Sequence, residues 1–455
     1  MTSFDQDIKK DIEALLRGPK YPDKEFVVGG ATFKEVYRIA SMFRTVLCQE
    51  ESPEATVCLA TDNKPIMAAA ILASLGDGPN LLVPYTFSEK PLLEIQRKVG
   101  FKTVISDSAG SFPEGLKVIS PQSIPAQKRL DIPLDHHVSP GDELLQLYTG
   151  GSTGSPQMWT KRAENLFGEG LFLASHFGVT ERDCILGTVP ANHIYGLLYT
   201  VILPLVSMAT VVDETPSFPG EIVTAAVENR VSILASVPAH YRGLGKSKIE
   251  LRLAFSSAGM LDEADNRAFS ATNGMGVTEV YGSTETGGIA TRNRWLGEDH
   301  FTPFPSIRWK TSGGCLAVKS PYISPELAVD EEGFYRAGDR VEKRDDNAFA
   351  LLGRADHVTK VGGKRVDLDE IRLVIKKQPG VVDCVVTAVP FGGARENLIG
   401  VLIEGNTVDI ESIRLVLADS FETYALPRWI KTVERIPMKE SGKYDSVAIT
   451  QLLQQ

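Results

Sequence analysis

A predicted strand that runs directly into a loop of small residues has the composition of a phosphate-binding site. The apolar run from Leu144 to Tyr148 predicts the strand. The loop that follows contains Thr149, Gly150, Gly151, Ser152, Thr153 and Gly154. Small side chains let backbone N–H groups and hydroxyls surround a polyphosphate. We therefore expect a phosphate-binding loop at 149–154, although a glycine-rich turn without a ligand has the same composition.

The positive charge that such a loop needs is not directly beside it. The loop lacks the Gly-Lys-Ser or Gly-Lys-Thr of a Walker A motif, and the residue after Pro156 is Gln157. Glutamine can donate a hydrogen bond but carries no charge to offset pyrophosphate. Lys161 and Arg162, which we expect one helical turn further on, could supply that charge.

The composition narrows the classes of protein to consider. The 455 residues exceed one ordinary core, so two or three domains are expected. The net charge of -10 argues against a nucleic-acid-binding surface, which is normally basic. The apolar run from Leu197 to Thr210 contains Pro204 and is too short to span a membrane, so it predicts buried core.

The cysteines and the N-terminus indicate a compartment. The five cysteines form no C-x-x-C pair and their number is odd, which argues against a disulfide framework and a zinc site. The first ten residues lack the apolar core of a signal peptide. We therefore expect a cytoplasmic protein with no nucleic-acid partner and no membrane span.

Strands alternate with helices over the first 300 or so residues, which predicts an α/β domain with a largely parallel sheet. The predicted strands include 55–59, 80–83, 104–106, 184–189, 232–236, 251–257 and 277–281, and the predicted helices include 8–16, 33–47 and 65–75. Short strands separated by turns follow Phe304, and a further α/β unit follows Gly353. We place the domain boundary near Arg354 to Asp356, which gives domains of residues 1–355 and 356–455.

Several short motifs occur in the order and spacing of one known family. They are the loop at 148–156, Pro190-Ala-Asn-His-Ile-Tyr-Gly196, Ser256-Ser-Ala-Gly-Met-Leu261, Tyr281-Gly-Ser-Thr-Glu285, Tyr335-Arg-Ala-Gly-Asp339, Gly353-Arg-Ala-Asp356 and Ile436-Pro-Met-Lys-Glu-Ser-Gly-Lys443. Together they resemble the adenylate-forming superfamily of acyl- and aryl-CoA synthetases, peptide-synthetase adenylation domains and beetle luciferases. The short chain is similar to ligases of aryl polyene or fatty-acid-like gene clusters.

The resemblance implies an architecture. It is a large N-terminal domain of αβα-layered sheets with a small β-barrel-like subdomain, followed by a small mobile C-terminal α+β domain. The first domain would bind AMP and the acyl group. The second would carry a catalytic lysine and rotate about Asp356 between two half-reactions.

The resemblance also assigns roles to the nucleotide-binding motifs. The loop at 149–154 would clasp the β- and γ-phosphates of ATP, and Gln157 stands where the family has lysine. The adenine slot would be formed by Ser257, Ala258, Gly259, Tyr281, Gly282 and Ser283, with Tyr281 stacking on the base. Thr284 would bond the α-phosphate and Glu285 would hold Mg²⁺, a hard cation that prefers oxygen ligands.

For the acyl pocket, the resemblance makes His193 a gate that shifts between half-reactions, although a lone histidine after a strand is usually structural. The pocket would be lined by His193, Tyr195, Val237, Ala258, Gly282, Gly287 and Gly288. The two glycines at 287 and 288 would leave room for a flat or extended acyl group.

The remaining roles fall in the last third of the chain. Asp339 would accept the ribose hydroxyls, as a carboxylate can, and Arg354 would contact ribose or phosphate. Gly363 would open a thiol tunnel and Arg365 would contact phosphate, although a solvated basic face explains the local charge equally well. Lys443 would reach the carboxylate and the α-phosphate during adenylation, with Lys439 as the less favoured substitute.

The expected activity is a two-step ligation: a carboxylate attacks MgATP to give acyl-AMP, and a thiol then forms a thioester. The acceptor is coenzyme A or the phosphopantetheine arm of an acyl carrier protein. An aryl or hydroxyaryl acid is the first choice of substrate, and a medium-chain fatty acid is the alternative. A paralogue that binds AMP or acyl groups without turnover is the rival of a different class, supported by Gln157 alone.

Overall fold

The computed structural model describes residues 3–50, 55–76, 78–107, 112–124, 141–149, 157–361, 364–390, 397–439 and 442–455. Two compact units account for the chain. The first comprises Met1–Arg308 and Lys319–Ala328, and the second comprises Trp309–Val318 and Val329–Gln455.

A six-stranded sheet forms the start of the first unit, in the order β4-β3-β1-β2-β5-β6. Its strands are β1 Thr56–Leu59, β2 Asn80–Val83, β3 Thr103–Ile105, β4 Lys117–Ile119, β5 Glu143–Thr149 and β6 Gln157–Arg162. The associated helices are α1 Ser3–Leu16, α2 Phe33–Glu50, α3 Lys64–Leu75, α4 Glu89–Val99 and α5 Ala163–Phe177. The strands are parallel except for β6, which forms a hairpin with β5.

A seven-stranded sheet completes this unit, in the order β13-β12-β11-β10-β9-β7-β8. Its strands are β7 Cys184–Gly187, β8 Thr210–Val211, β9 Ile233–Ser236, β10 Leu253–Ser256, β11 Thr278–Ser283, β12 Gly287–Arg292 and β13 Thr302–Pro303. The helices are α6 Ile194–Leu197, α7 Leu203–Ser207, α8 Pro219–Glu228, α9 Pro238–Leu244 and α10 Glu263–Asn273. Leu186, Leu234 and Ala254 lie on the face that packs against α8, α9 and α10.

The apolar segment at 197–210 is buried core, as predicted. A π-helical turn, Leu198–Ile202, joins α6 to α7, and Leu197 to Leu205 are all buried. Such π turns within α-helices are frequent at functional sites. None of the helices within the described part of the chain has the length and apolar character needed to cross a membrane.

The second unit has shorter sheets. Its strands are β14 Arg308–Ser312, β15 Cys315–Lys319, β16 Tyr335–Asp345, β17 Ala348–Arg354, β18 Val358–Val361, β19 Lys364–Asp367, β20 Asp383–Pro390, β21 Asn397–Glu404 and β22 Trp429–Val433. Its helices are α11 Leu368–Lys376, α12 Ile410–Ser420 and α13 Ser446–Gln454. Ile371, Ile375, Val401, Ile403 and Leu417 form the centre of its core.

The predicted α/β class, with a large N-terminal part and a smaller C-terminal part, is confirmed. Compact packing divides the chain earlier than residue 355, because β14 and β15 form one sheet with β16 and β17. The boundary at 355/356 concerns domain motion and stays a prediction. Several elements were not predicted from the sequence, among them α4, β6 and α5. The expected helical turn before Lys161 is wrong, because 157–162 form a strand.

Candidate active site at the edge of the second sheet

Most of the predicted site residues that the structure describes in the first unit lie at one edge of the second sheet. Strands β7, β9, β10 and β11 are parallel, so their carboxyl ends lie at the same edge. The segments that leave these ends carry His193, Val237, Ser257 to Gly259, and Thr284 with Glu285. In open α/β sheets, ligands bind outside the carboxyl ends of the strands. This edge is therefore the candidate active site.

The chain turns sharply where β10 ends. The Ser257 hydroxyl donates a hydrogen bond to the Val280 carbonyl at 2.9 Å, which ties this turn to β11. Ala258 has a φ of 69°, in the left-handed region where a residue other than glycine is strained. Gly259 is exposed, and a Cβ there would contact only Pro238 Cγ, at 3.7 Å. Strain of this kind clusters at ligand-binding positions.

The turn from Ser283 to Gly287 is closely held. The hydroxyls of Ser283 and Thr286 lie 2.8 Å apart, and the Thr286 N–H donates to the Ser283 hydroxyl at 3.3 Å. A Cβ on Gly282 would collide with the Gly287 carbonyl and lie 2.9 Å from Gly288 Cα, so only glycine fits there. Thr284 and Glu285, at the tip of this turn, are half-buried.

The Tyr281 ring lies on β11, with the Phe301 ring centroid 5.8 Å away. Arg292 stacks over Phe301 at 4.4 Å and makes two hydrogen bonds to Glu279, at 3.1 and 2.8 Å. The Arg292 and Glu279 side chains are both almost completely buried. These contacts pack against β11 beside Tyr281, and the adenine slot itself stays a prediction.

The two glycines at 287 and 288 accommodate a protein side chain rather than open space. A Cβ on Gly287 would lie 2.7 Å from Glu169 Oε2 and 2.6 Å from Tyr322 Cβ, and one on Gly288 would lie 3.0 Å from Glu169 Oε1. Glu169 Oε1 accepts the Gly288 N–H at 2.7 Å. We expected these glycines to leave room for an acyl group. In the structure, the Glu169 side chain occupies the space beside them. Their place in the acyl pocket stays a prediction.

Lys161 is buried and its ammonium group is already engaged. Its side chain lies on β6, and Nζ donates to the Tyr322 carbonyl at 3.0 Å. Burial lowers the pKa of Lys161 to about 8, whereas Glu169, Glu285 and Glu326 oppose that shift. Burial raises the pKa of Glu169, and Lys161 opposes that shift. The role of Lys161 as the charge of the phosphate loop stays a prediction.

Sequence reasoning missed Glu169, because α5 itself was not predicted. The signal was present: a single carboxylate stands in the apolar stretch Leu166-Phe-Gly-Glu-Gly-Leu-Phe-Leu173. A charged residue is almost never fully buried without a partner. A glutamate on the apolar stretch of a helix therefore indicates a specific acceptor or ion-pair role.

A row of hydroxyl groups, also missed from the sequence, borders the same edge. Ser236 and Ser256 are paired in register at the ends of β9 and β10, and Thr188 follows β7. The Thr188 and Ser236 hydroxyls lie 2.7 Å apart, and His240 Nδ1 lies 2.8 Å from the Thr188 hydroxyl. Ser256 is 1% exposed, and its hydroxyl has no hydrogen-bond partner among the described residues. A predicted strand that ends in a hydroxyl-bearing residue was the available signal.

His193 and Tyr195 differ in their surroundings. His193 precedes α6, is half-buried, and its N–H donates to the Pro190 carbonyl at 3.1 Å. The Tyr195 hydroxyl donates to the Phe255 carbonyl at 3.2 Å, and burial raises the pKa of this tyrosine well above its usual value. Val237 directly precedes α9 and is buried. The Tyr195 hydroxyl is therefore engaged with the main chain of β10, and its ring packs against Tyr199.

In the second unit, Arg354 lies between the two predicted carboxylates. It makes two hydrogen bonds to Asp356, at 2.7 and 2.9 Å, and its Nη1 lies 3.8 Å from Asp339 Oδ1. Asp339 and Arg354 are cross-strand partners on β16 and β17. The hydrogen bonds from Arg354 hold the pKa of Asp356 below its usual value. Because Arg354 and Asp356 are both about half exposed, this pair contributes little stability.

Lys443 lies in a tight hairpin near the C-terminus. Its carbonyl accepts the Lys439 N–H at 2.8 Å, and the Asp445 N–H donates to the Pro437 carbonyl at 3.0 Å. The side chain of Lys443 is exposed, and the next residue, Tyr444, points into the unit. The Tyr444 hydroxyl donates to Asp383 at 2.7 Å and accepts from Arg372 at 3.2 Å. The hairpin that carries Lys443 is thus anchored to β20 and α11.

Other predicted residues lie outside the described part of the chain, namely Gly150, Gly151, Ser152, Thr153, Gly154 and Gly363. Thr149 ends β5 opposite Gln157, and its hydroxyl donates to the Gln157 carbonyl at 3.3 Å. Arg365 is paired with Lys360 in the β18–β19 hairpin. The described residues contain no group of three or more His, Cys, Asp or Glu placed to hold a metal ion.

Comparison with known proteins identifies relatives over most of the chain. A sequence model of the family described as AMP-binding enzyme matches residues 17–326. An anthranilate–CoA ligase of Pseudomonas aeruginosa is 26% identical over 444 residues, which cover 86% of each chain. A sulfoacetate–CoA ligase of Cupriavidus necator is 25% identical over 335 residues, or 67% of this chain. That match spans 66% of the relative, just under two thirds of its length.

The fold has a close counterpart among solved structures. The crystal structure of ATP-bound MatB from Rhodopseudomonas palustris aligns with a TM-score of 0.82, covering 97% of this chain and 98% of that one. The sequence identity is 20%, so this likeness concerns the fold.

Proposed function

Because this chain belongs to the AMP-binding enzyme family, we propose that it is an ATP-dependent carboxylic acid ligase that makes an acyl-AMP and then a thioester. The carboxylate would attack the α-phosphate of ATP and release pyrophosphate. A thiol would then attack the mixed anhydride and release AMP. The protein would contribute positioning and charge rather than a covalent nucleophile.

The observation that carries this proposal is the turn from Ser283 to Gly287 at the edge of the second sheet. It is fixed by the 2.8 Å contact between the Ser283 and Thr286 hydroxyls and by a glycine that no other residue could replace at 282. Thr284 and Glu285 are thereby held outside the carboxyl ends of parallel strands, where nucleotides bind in α/β proteins.

The donor set at this turn fits Mg²⁺. Magnesium is usually held by one or two carboxylates together with substrate phosphates, and not by a cage of protein ligands. Glu285 offers such a carboxylate, and the described residues contain no metal cage. Glu285 would hold the ion, which when bound would neutralise charge on the phosphates.

The other predicted residues take the following proposed roles. Tyr281 would stack on adenine beside the strained turn at 257–259, and Thr284 would donate to the α-phosphate. Asp339 would accept the ribose hydroxyls next to Arg354. Lys443 would stabilise the charge that develops during adenylation.

The phosphate loop at 149–154 and the residues Gly363 and Arg365 complete the proposed site. The loop would clasp the β- and γ-phosphates, Gly363 would admit the thiol and Arg365 would contact phosphate. Asp356 would be the hinge about which residues 356–455 rotate between half-reactions. Its position in a short turn, Ala355–His357, between β17 and β18 supports that role.

For the substrate, we propose an aryl or hydroxyaryl acid. The row formed by Thr188, Ser236 and Ser256, with His240 beside it, supports an acid that carries a hydrogen-bonding group. A site built to hydrogen-bond a substrate hydroxyl disfavours analogues that lack it. A medium-chain fatty acid remains the alternative, and it would leave the Ser256 hydroxyl unsatisfied.

The proposed acceptor is coenzyme A or the pantetheine arm of an acyl carrier protein. We also propose a cytoplasmic location, because all five cysteines are free thiols.

An ATP–pyrophosphate exchange assay over a panel of acids tests the proposed function. The panel should pair each hydroxybenzoate with the benzoate that lacks the hydroxyl, and should include C6 to C12 fatty acids. Exchange with a hydroxybenzoate but not its partner would support both the activity and the substrate class. No exchange with any acid, together with retained AMP binding, would favour the paralogue that binds without turnover.

A further inference from the structure

We propose that Lys161 and Glu169 form a buried positioning pair that fixes the turn carrying Glu285 to strand β6. The proposal rests on the proposed function, because it assigns the pair to the nucleotide site. Neither residue is proposed to touch the nucleotide. They would act through the backbone that holds Glu285.

The buried Lys161 side chain contacts the segment that is hydrogen-bonded to the turn. It is 2% exposed, and Nζ donates to the Tyr322 carbonyl at 3.0 Å. Glu169, Glu285 and Glu326 all act on it electrostatically. Their negative charge offsets part of the cost of burying the ammonium group.

Glu169 is hydrogen-bonded to β12, the strand that follows the turn. It is 4% exposed, and its Oε1 accepts the Gly288 N–H at 2.7 Å. Its carboxylate fills the notch that Gly287 and Gly288 leave by lacking side chains. Since Gly287 is only two residues beyond Glu285, a shift of Glu169 would move the base of the turn.

Segment 320–326 links the same elements a second time. The Ser324 N–H donates to the Glu285 carbonyl at 2.8 Å, and Glu326 accepts the Thr160 N–H at 2.9 Å. Tyr322, between them, supplies the carbonyl that Lys161 binds. A further hydrogen bond, at 3.5 Å, runs from the Ser320 hydroxyl to the Thr286 carbonyl. Segment 320–326 is therefore joined to the turn and to β6 by these four hydrogen bonds, and Lys161 makes one of them.

A purely structural pair and a positioning pair respond differently to apolar replacement. Removing one of two opposite buried charges leaves the other uncompensated, whereas replacing both with apolar residues is often neutral or stabilising. An apolar pair could restore stability. It could not restore the hydrogen bonds to the Tyr322 carbonyl and the Gly288 N–H.

The test compares Lys161→Met, Glu169→Leu and the double variant with the native protein. Thermal unfolding would report stability, and calorimetry would measure ATP binding with and without Mg²⁺. Lys64→Met is the matched control, because Lys64 is also buried and donates to a main-chain carbonyl, that of Asp213. Lys64 has no place in the proposed site.

We expect both single variants to unfold at lower temperature and to bind MgATP about tenfold or more weakly, in line with losing a charge-assisted hydrogen bond. The double variant should recover most of the unfolding temperature but not the affinity for MgATP. Binding of ATP without Mg²⁺ should change little in either case. Lys64→Met should lower the unfolding temperature alone.

A double variant that recovers native MgATP affinity together with stability would show a structural pair and overturn the inference. If the single variants lose affinity equally with and without Mg²⁺, the pair does not act on Glu285 and the inference also fails. In both cases the native protein would still bind MgATP, so the proposed function would stand. A native protein that binds no MgATP would overturn both.

Discussion

Tyr444→Phe tests how the hairpin that carries Lys443 is held in place. The substitution keeps the ring and removes a hydroxyl that donates to Asp383 at 2.7 Å and accepts from Arg372 at 3.2 Å. The Asp383 side chain is 7% exposed, so water cannot readily replace the lost donor. Because Tyr444 directly follows Lys443, losing this anchor should leave the position of the lysine less fixed.

The size of the effect follows from the bonds that remain. A hydrogen bond to a charged group contributes about 1.5–3 kcal/mol. Asp383 would keep its bonds to Arg372, at 3.2 Å, and to the Cys384 N–H, at 2.9 Å. We therefore expect a loss near the lower end, about 1.5 kcal/mol in the free energy of unfolding. Since 1.4 kcal/mol corresponds to a factor of ten, adenylation should slow by at most roughly tenfold.

Two half-reactions measured separately provide the assay. ATP–pyrophosphate exchange reports adenylation, and thioester formation from preformed acyl-AMP reports the second step. Adenylation alone should slow, because Lys443 is proposed to act only in that step. Tyr37→Phe is the matched control, because it removes a hydroxyl bonded to the Leu15 carbonyl at 2.7 Å, in the other unit. Tyr37→Phe should lower the free energy of unfolding. The rates of both half-reactions, measured per amount of folded protein, should not change.

Equal slowing of both half-reactions by Tyr444→Phe would show a general loss of folded protein or a role for the hairpin in both steps. Adenylation at the native rate, despite a measurable loss of stability, would show that the anchor does not position Lys443. Either result would refute the reasoning that links Asp383 to the lysine through Tyr444.

Three further substitutions have defined outcomes. Lys443→Ala should abolish pyrophosphate exchange and spare thioester formation from acyl-AMP; equal loss in both assays would remove the lysine from its assigned step. Gly282→Ala should force a Cβ against the Gly287 carbonyl, destabilise the first unit by about 1–3 kcal/mol and weaken nucleotide binding in calorimetry. His357 has its pKa raised by a hydrogen bond to Asp369, so its stabilising effect is complete below the usual value of 6.5 and disappears as pH rises through the raised pKa. The difference in unfolding temperature between His357→Gln and the native protein should therefore be larger at about pH 5.5 than at about pH 8.5.

The order and type of most elements could be predicted from local pattern. Buried parallel strands such as Asn80–Val83 are continuous apolar runs between turn residues, and their bounds were predicted to within a residue or two. The segment from Gln157 to Phe177 was missed for a physical reason. Its strand mixes polar and apolar residues as half of a hairpin, and its helix contains Gly168 and Gly170, which lower intrinsic helix propensity.

Residues of the candidate site could be named from the sequence where a single motif contains them. Those that depend on contacts between distant segments of the chain could not. Thr284 and Glu285 were named from one motif, and the structure places them at the carboxyl edge of the second sheet. Glu169, in contrast, contacts Gly288, 119 residues further along the chain. The anchor of Tyr444 on Asp383 likewise joins residues 61 positions apart. Such contacts depend on packing that no local pattern encodes.

The absence of lysine after Pro156 has a different meaning once the position of Lys161 is known. To neutralise a phosphate directly, the Lys161 ammonium would have to give up its hydrogen bond to the Tyr322 carbonyl. That would strand Glu169, a buried carboxylate that carries the Gly288 hydrogen bond, and an unpaired buried charge is costly. We therefore expect this cation to hold the turn that would carry Mg²⁺, rather than to hold the phosphate itself. On this reasoning Gln157→Lys should strengthen MgATP binding even in the Lys161→Met variant, because the two positions would serve separate purposes. If Gln157→Lys helped only the native protein, the two residues would share one role.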